Sequence, residues 1–300
     1  MSKICTHLFG GLGNQLFIYS HAFAIAEKTG ARLYCDTKSG FKRDPFDREP
    51  IVRNLGGEFS DWHSPVGFRM MRIVSKIGPL CGIVNKLGWV GIEPQLISGK
   101  SMYSEMLGIP ICEIKNSLYL FGYWQNENYF RFVEHKLKAQ MLAGLSVKAS
   151  SSKIEQTQLV GTSICIHVRR THGIGAHGKS VGDQNKYKKL PIEYYHEAIN
   201  VIRKRVRIAT IYVFADCFDW IKANLKTDIK VVYVDSTPGV DNTLVDFNLM
   251  RACSHFVVAN STYSWWAAWL SLNQDKIVIA PNPKRYFGGG VPAANWLVLD

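Results

Sequence analysis

The chain has 300 residues, 47% of them hydrophobic, and 36 Lys+Arg against 24 Asp+Glu, a formal charge of +12. That length suits two α/β domains, and the apolar fraction excludes long disordered regions. The positive excess asks for an anionic partner, and nucleic acid, a membrane surface and a phosphorylated substrate all qualify.

In chain order, residues 4–9 read as a short strand running into Gly10-Gly11-Leu12-Gly13. A helix is predicted over 14–28 from the spacing of Leu16, Tyr19, Phe23 and Ala26, with Gly30 as its C-terminal stop. A second strand over 31–35 ends at Asp36, which completes the opening unit of a parallel α/β domain. Residues 37–60, broken by Pro45 and Pro50, carry no assignable pattern. Residues 62–92 lack Asp and Glu but hold Arg69, Arg72, Lys76 and Lys86 among apolar residues. That stretch fits either a solvated basic face or a contact with anionic lipid. A strand is predicted over 117–123, a helix over 128–143, and a small, polar linker over 144–152. Strands then follow at 162–168, 209–215, 229–234, 255–259 and 276–280, separated by helices at 192–206, 217–224, 243–253 and 264–271. This alternation implies a second parallel sheet, hence domains over 1–150 and 151–300, with the last residues free to pack back on the first.

Seven cysteines occur, an odd number with no CxxC pair, so they read as reduced thiols and not as a disulfide or zinc framework. The N-terminus shows no charged-then-apolar leader, and no apolar run approaches the ~20 residues of a membrane span. The expected setting is cytoplasmic, with membrane contact peripheral.

Three places carry chemistry. At the first, Gly11 and Gly13 let backbone approach a ligand at a helix N-terminus, while Asn14 and Gln15 are polar where a dinucleotide site has no need of them. With Asp36 the unit imitates a dinucleotide fingerprint, although Leu16 fills its third small position. The second is His167-Val168-Arg169-Arg170-Thr171-His172 at a strand's carboxyl end, where open α/β sheets bind ligands. An arginine fork matches phosphate oxygens, and pleating favours Arg169 over Arg170 for that task. The third joins Asp246 to Asn260-Ser261-Thr262 at a strand-to-helix turn, an anion cradle in which Ser261 also fits a plain N-cap. Trp265, Trp266 and Trp269 behind it read as packing.

Taken together, GGLGNQ, HVRR, DFNLM and ANSTYSWWAAWL resemble, in order and spacing, the α-1,2-fucosyltransferases of glycosyltransferase family 11. The resemblance runs from Gly10 to the segment ending at Phe287. It implies a GT-B fold, two facing Rossmann-like domains with the active site in the cleft between them. It further implies GDP-β-L-fucose as donor, a galactoside acceptor, inversion, and no metal or other cofactor. By position, Arg169 would hold the β-phosphate, His167 and Asp246 the guanine, Ser261 and Thr262 the pyrophosphate, and Asn14 would face the fucose. The family pattern HxRRxD is broken here, because its last position is His172. In the related α-1,6-fucosyltransferases a carboxylate stands where this chain has His177. His177, or second to it His172, therefore fits a base that takes the acceptor proton, on a loop whose Gly173, Gly175, Gly178 and Gly182 suit a lid. The expected role is surface-polysaccharide (O-antigen) synthesis on a glycan or lipid-linked acceptor at the inner face of a bacterial membrane. Use of another GDP-sugar, an NAD-dependent oxidoreductase built on Gly11, Gly13 and Asp36, and a nucleic-acid-binding module are the competing readings.

Overall fold

The computed structural model describes residues 2–63, 90–92, 118–149, 161–171, 188–235, 240–286 and 288–300. Most of the basic 62–92 stretch, and both His172 and His177, lie outside the described residues. The chain divides into two compact units, Met1–Met141 and Leu142–Asp300.

In the first unit, β1 (Lys3–His7) lies at the centre of a parallel sheet, flanked by β2 (Arg32–Asp36) and β5 (Leu118–Phe121). The short strands β3 (Ser60–Asp61) and β4 (Val90–Ile92) form the edges, giving the order β3-β2-β1-β5-β4. Helix α1 (Leu12–Thr29) links β1 to β2 and ends at Gly30, whose φ of 65° is the left-handed stop expected of glycine. Its burial is wider than one stripe: Leu16, Phe17, Ile18, Tyr19 and Ala22 are all fully enclosed. A helix apolar on nearly every side belongs inside its unit and not on its surface.

The predicted 128–143 helix is shifted. Two single 3₁₀ turns, Glu127–Tyr129 and Arg131–Val133, come first, and α2 then runs over Glu134–Ala149. Leu137, Met141 and Leu145, four residues apart and buried, carry the helix through the stretch predicted to be linker. The boundary between the units accordingly falls inside α2, at Met141/Leu142.

The second unit follows the predicted alternation closely. β6 (Ser163–Val168), α3 (Ile192–Arg203), β7 (Thr210–Ala215), α4 (Phe218–Asn224), β8 (Lys230–Tyr233), α5 (Val240–Ala252), β9 (His255–Val257), α6 (Thr262–Trp269) and β10 (Val278–Pro281) appear in turn. With β11 (Leu297–Leu299) last in the chain, all pairings are parallel, in the order β11-β10-β9-β6-β7-β8. β6 is buried along its whole length because helices cover both faces of such a sheet. Tyr194, Ala198 and Ile202 on α3 form the stripe that covers Ile164, Ile166 and Val168. β11 pairs with β10 as the edge of the second sheet.

The five described cysteines are free. Burial pushes the Cys5 thiol up to about 11, and Cys35 and Cys165 well above the ordinary thiol value, so all three are inert.

His21 on α1 is the buried titratable group with the clearest consequence. Its ring lies 4.2 Å from that of Trp124 and 4.8 Å from that of Tyr129. Burial pushes its pKa down to about 3, against a smaller opposing hydrogen bond with the Tyr129 main chain. Unfolded, a histidine takes up its proton near pH ~6.5, so between that value and about 3 the unfolded chain holds one proton more. Stability should therefore fall as pH falls through this window, by at most ~1.4 kcal/mol per pH unit. Urea midpoints measured across the window should show this slope in the wild type and a shallower one in His21→Phe.

Candidate functional site

The carboxyl ends of β6, β7 and β9 bring the second-unit candidates together. β6 and β9 pair with Ile166 level with Val257, so three residues later Arg169 and Asn260 leave adjacent strands side by side. Asp216, just past β7, holds the turn after β6. Its carboxylate accepts the Arg170 N–H at 2.8 Å, the Thr171 N–H at 3.0 Å and the Thr171 hydroxyl at 2.5 Å. Arg169 Nε lies 3.4 Å from the same carboxylate. Burial would raise the Asp216 carboxyl, but the Arg169 charge and the hydrogen bonds from Thr171 and Arg170 outweigh it and lower the pKa. The sequence reading missed Asp216, whose partners lie 45 and more residues away.

The two arginines part as the pleat requires. Arg169 is 37% exposed at the strand end, where a contact made through Nε leaves its two terminal nitrogens for an anion. Arg170 turns into the protein. Its guanidinium carbon lies 3.6 Å from the centre of the Trp220 ring, and Nη1 donates to the Leu190 carbonyl at 3.2 Å. Its assignment to the ligand is therefore corrected: Arg170 braces the wall beside the site by stacking and hydrogen bonding.

His167 is buried at the end of β6, and its ring lies 5.9 Å from that of Tyr263 in the first turn of α6. The Tyr263 hydroxyl donates to the Thr243 carbonyl of α5 at 2.6 Å. Burial, and after it the charge of Asp246, pushes this phenol well above its usual range. His167 thus lies beside the same tyrosine that feels the charge of Asp246, 79 residues further along the chain.

Ser261 occupies the N-cap position of α6 in extended conformation, yet its hydroxyl makes no capping hydrogen bond. Thr262 opens a helix that has no acidic residue in its first turn, so the positive end of its dipole is uncompensated within the helix. The Asn260 side-chain amide donates to the Lys188 carbonyl at 3.1 Å. Gly289 presses on this turn: a Cβ there would lie 2.8 Å from Asn260 Cα and from Ser261 N. Between Val258, Asn260, Trp265, Tyr286 and Gly289 the remaining space is ≈10 Å³, room for at most one water. The Gly288–Gly290 strap also escaped sequence reading, although its three consecutive glycines were the signal.

In the first unit, Gly11, Gly13, Asn14 and Gln15 surround the start of α1. Gly11 is an extended N-cap without a side chain, and no acidic residue follows in the first turn. Asn14 is half-buried and accepts from the Gln125 amide at 2.9 Å. Gln15 is corrected. It is fully buried, donates to the carbonyls of Gly10 and Glu49 at 2.9 and 2.8 Å, and accepts from the Ile51 N–H at 2.8 Å. Its amide staples the 49–51 segment to the helix and has no hydrogen left for a ligand. Arg48 is an addition, with Nη1 3.7 Å from where a Gly11 Cβ would stand.

Asp36 bears on the dinucleotide alternative. One of its oxygens accepts the Lys38 and Ser39 N–H groups at 2.9 and 2.8 Å, and the other meets the Ser39 hydroxyl at 2.8 Å and His7 Nδ1 at 3.3 Å. Burial raises this carboxyl, but the bonds from His7, Ser39 and Lys38 hold it well below the carboxylate range. A ribose diol would have to displace one of these partners, which argues against the oxidoreductase reading.

Two α/β units, each built on a parallel sheet, are the architecture of the GT-B fold. The fold comparison agrees, matching a fucosyltransferase NodZ from Bradyrhizobium at TM-score 0.50 and 11% identity over 89% of this chain and 92% of that one. The chain belongs to glycosyl transferase family 11, whose family model matches residues 95–295. Two Escherichia coli proteins are similar over nearly their full lengths. One, an alpha-1,2-colitosyltransferase, is 25% identical over 94% of this chain and 92% of its own. The other, the O-antigen biosynthesis glycosyltransferase WbnK, is 26% identical over 94% of each. Among the described residues no helix is long and apolar enough to cross a membrane.

The Gly289 contact is testable by itself. A methyl group at this position meets main chain and not a yielding side chain, so Gly289→Ala should destabilise the second unit by ~1–3 kcal/mol. Thermal unfolding with and without GDP should show a lowered midpoint and a smaller GDP-induced rise.

Proposed function

We propose that this chain transfers L-fucose from GDP-β-L-fucose to the 2-hydroxyl of a terminal galactose, with inversion, in the synthesis of a bacterial surface polysaccharide such as O-antigen. The observation that carries the reading is Arg169, held through Nε by Asp216 at the mouth of the second sheet. A guanidinium fixed on one edge presents two parallel donors to a diphosphate, and its charge gains most when the leaving group becomes most negative. The N-terminus of α6, with Asn260, Ser261 and Thr262, adds main-chain and hydroxyl donors to the same leaving group. His167 and Asp246 read the guanine, where a carboxylate accepts from N1–H and the 2-amino group together. Departure without a metal is part of the proposal and rests on this arginine and these donors. The kinship with an alpha-1,2-colitosyltransferase and an O-antigen enzyme supports the linkage and the pathway. The same kinship favours one alternative, a different GDP-sugar of similar shape.

Arg169→Ala should weaken GDP binding by about ten- to a hundred-fold, the worth of a charged hydrogen bond, with Arg169→Lys between it and the wild type. Calorimetry with GDP measures this, and NAD in the same cell should give no heat. Unchanged GDP affinity in Arg169→Ala would refute the site. A donor screen over GDP-fucose, GDP-colitose, GDP-mannose and UDP-sugars, with products mapped by NMR, decides the sugar.

The acceptor hydroxyl must lose a proton, and in this reading His177 takes it, with His172 as the second choice. His177→Ala should then lower kcat by roughly 10²–10⁴ while leaving GDP affinity unchanged, and should flatten the acidic limb of the pH–rate profile. Full turnover in this variant removes the assignment.

A further inference from the structure

A second concentration of positive charge lies at the opposite edge of the second sheet. α3 ends at Arg203, residues 204–209 return the chain to β7, and Lys230 opens β8 level with Thr210. Between these segments is a concavity of ≈600 Å³ lined by Arg203, Lys204, Arg205, Arg207, Asp228 and Lys230 together with Val206, Ile208, Ala209 and Ile229. All five basic residues are exposed. The single carboxylate of the lining, Asp228, is engaged by Arg203 through two bonds, Nη1 at 2.7 Å and Nη2 at 3.1 Å. Lys204, Arg205, Arg207 and Lys230 therefore share one groove with no carboxylate of that lining left to offset them.

We propose that this groove is a docking surface for the anionic phospholipid headgroups of a membrane. Four like charges lining one groove repel one another, and a polyanionic surface laid against them relieves that repulsion. Val206, Ile208 and Ile229 pack against the core of the unit and the lining has no aromatic residue. The groove thus lacks both the anchors of a protein interface and the stacking platform of a nucleic-acid site, and offers charge alone. Its position fits as well. Strand β7 runs from Thr210 at the groove to Ala215 beside Asp216, so roughly 17 Å of sheet separates the headgroups from Arg169 at ~3.3 Å per residue. Membrane contact here leaves the arginine mouth uncovered. The inference does not depend on the donor assignment.

The test is sedimentation of the full chain with vesicles of phosphatidylcholine alone or mixed with phosphatidylglycerol. The wild type should bind the mixed vesicles, and Arg205→Gln/Arg207→Gln/Lys230→Gln should lose about a hundred-fold in partitioning, or ~3 kcal/mol. A control, Lys3→Gln/Lys28→Gln/Arg32→Gln, removes the same charge from exposed positions of the first unit and should keep most of the binding. Both variants should keep the wild-type circular dichroism, and the groove variant its GDP affinity, which separates failure here from failure of the donor reading. Equal losses in both variants, equal binding to neutral vesicles, or displacement from vesicles by inorganic phosphate at the same ionic strength would each overturn the groove as a membrane site. So would binding of the groove to RNA in preference to the mixed vesicles.

Discussion

The bonds from Asp216 to the turn after β6 are the constraint on which the donor end depends. A chain leaving a parallel strand loses its ladder partners, and the N–H groups of Arg170 and Thr171 would be left without acceptors. One carboxylate on the neighbouring strand takes both and reaches Arg169 Nε as well. The result is an arginine held at a strand end without being buried, its charge partly offset in the absence of a ligand. That is the compromise a diphosphate site needs. An arginine with no such contact would have to be ordered when the ligand bound, whereas one in a full bidentate pair would have to be pulled from its carboxylate.

The first unit uses the same device to opposite effect. Asp36 also accepts two successive N–H groups, but they belong to Lys38 and Ser39, two and three residues along its own chain. Its remaining oxygen closes on Ser39 and on His7, the residue level with it on β1. A local turn of this kind seals the strand end, while a carboxylate that reaches across from β7 to the loop of β6 leaves the strand end open. Gln15 completes the seal by tying residues 49 and 51 to the glycine turn. The apparent dinucleotide fingerprint of the first unit is thus a packed corner, whereas the end of β6 in the second unit stays open around Arg169.

This contrast also explains what could be read without coordinates. The central strands of the second unit are apolar runs buried on both faces, as β6 is over its full length, and such runs separated by striped helices are legible one window at a time. Of the motif residues, His167, Arg169 and Ser261 sit at strand or helix ends, whereas Asp246 lies inside α5. Edge strands of two or three residues, such as β3, β4 and β11, are too short to carry a period. The linker reading failed at Gly144 and Ser146 because small and polar residues there concealed the spacing of Leu137, Met141 and Leu145. Asp216 and Gly289 were missed, and Gln15 was misassigned, on different grounds. Each acts through main-chain atoms between 28 and 46 residues away, or is met by them, and no local pattern records such a partner.

The charge of the chain can now be placed with more discrimination than a net value of +12 allows. At the carboxyl end of β6 Arg169 faces Asp216, and Arg170 is drawn into a stack on Trp220. At the other edge of the same sheet Arg203 is matched by Asp228, but its neighbours Lys204, Arg205, Arg207 and Lys230 have no carboxylate within the groove they line. Packing cannot account for them, since exposed lysines and arginines contribute little to a fold and repel when crowded. A substrate that binds at the far end of the strands cannot account for them either, because screening confines such charges to about 10 Å. An enzyme that used its positive charge only to hold a nucleotide would have no use for the cluster of Lys204, Arg205, Arg207 and Lys230 at the amino ends of β7 and β8.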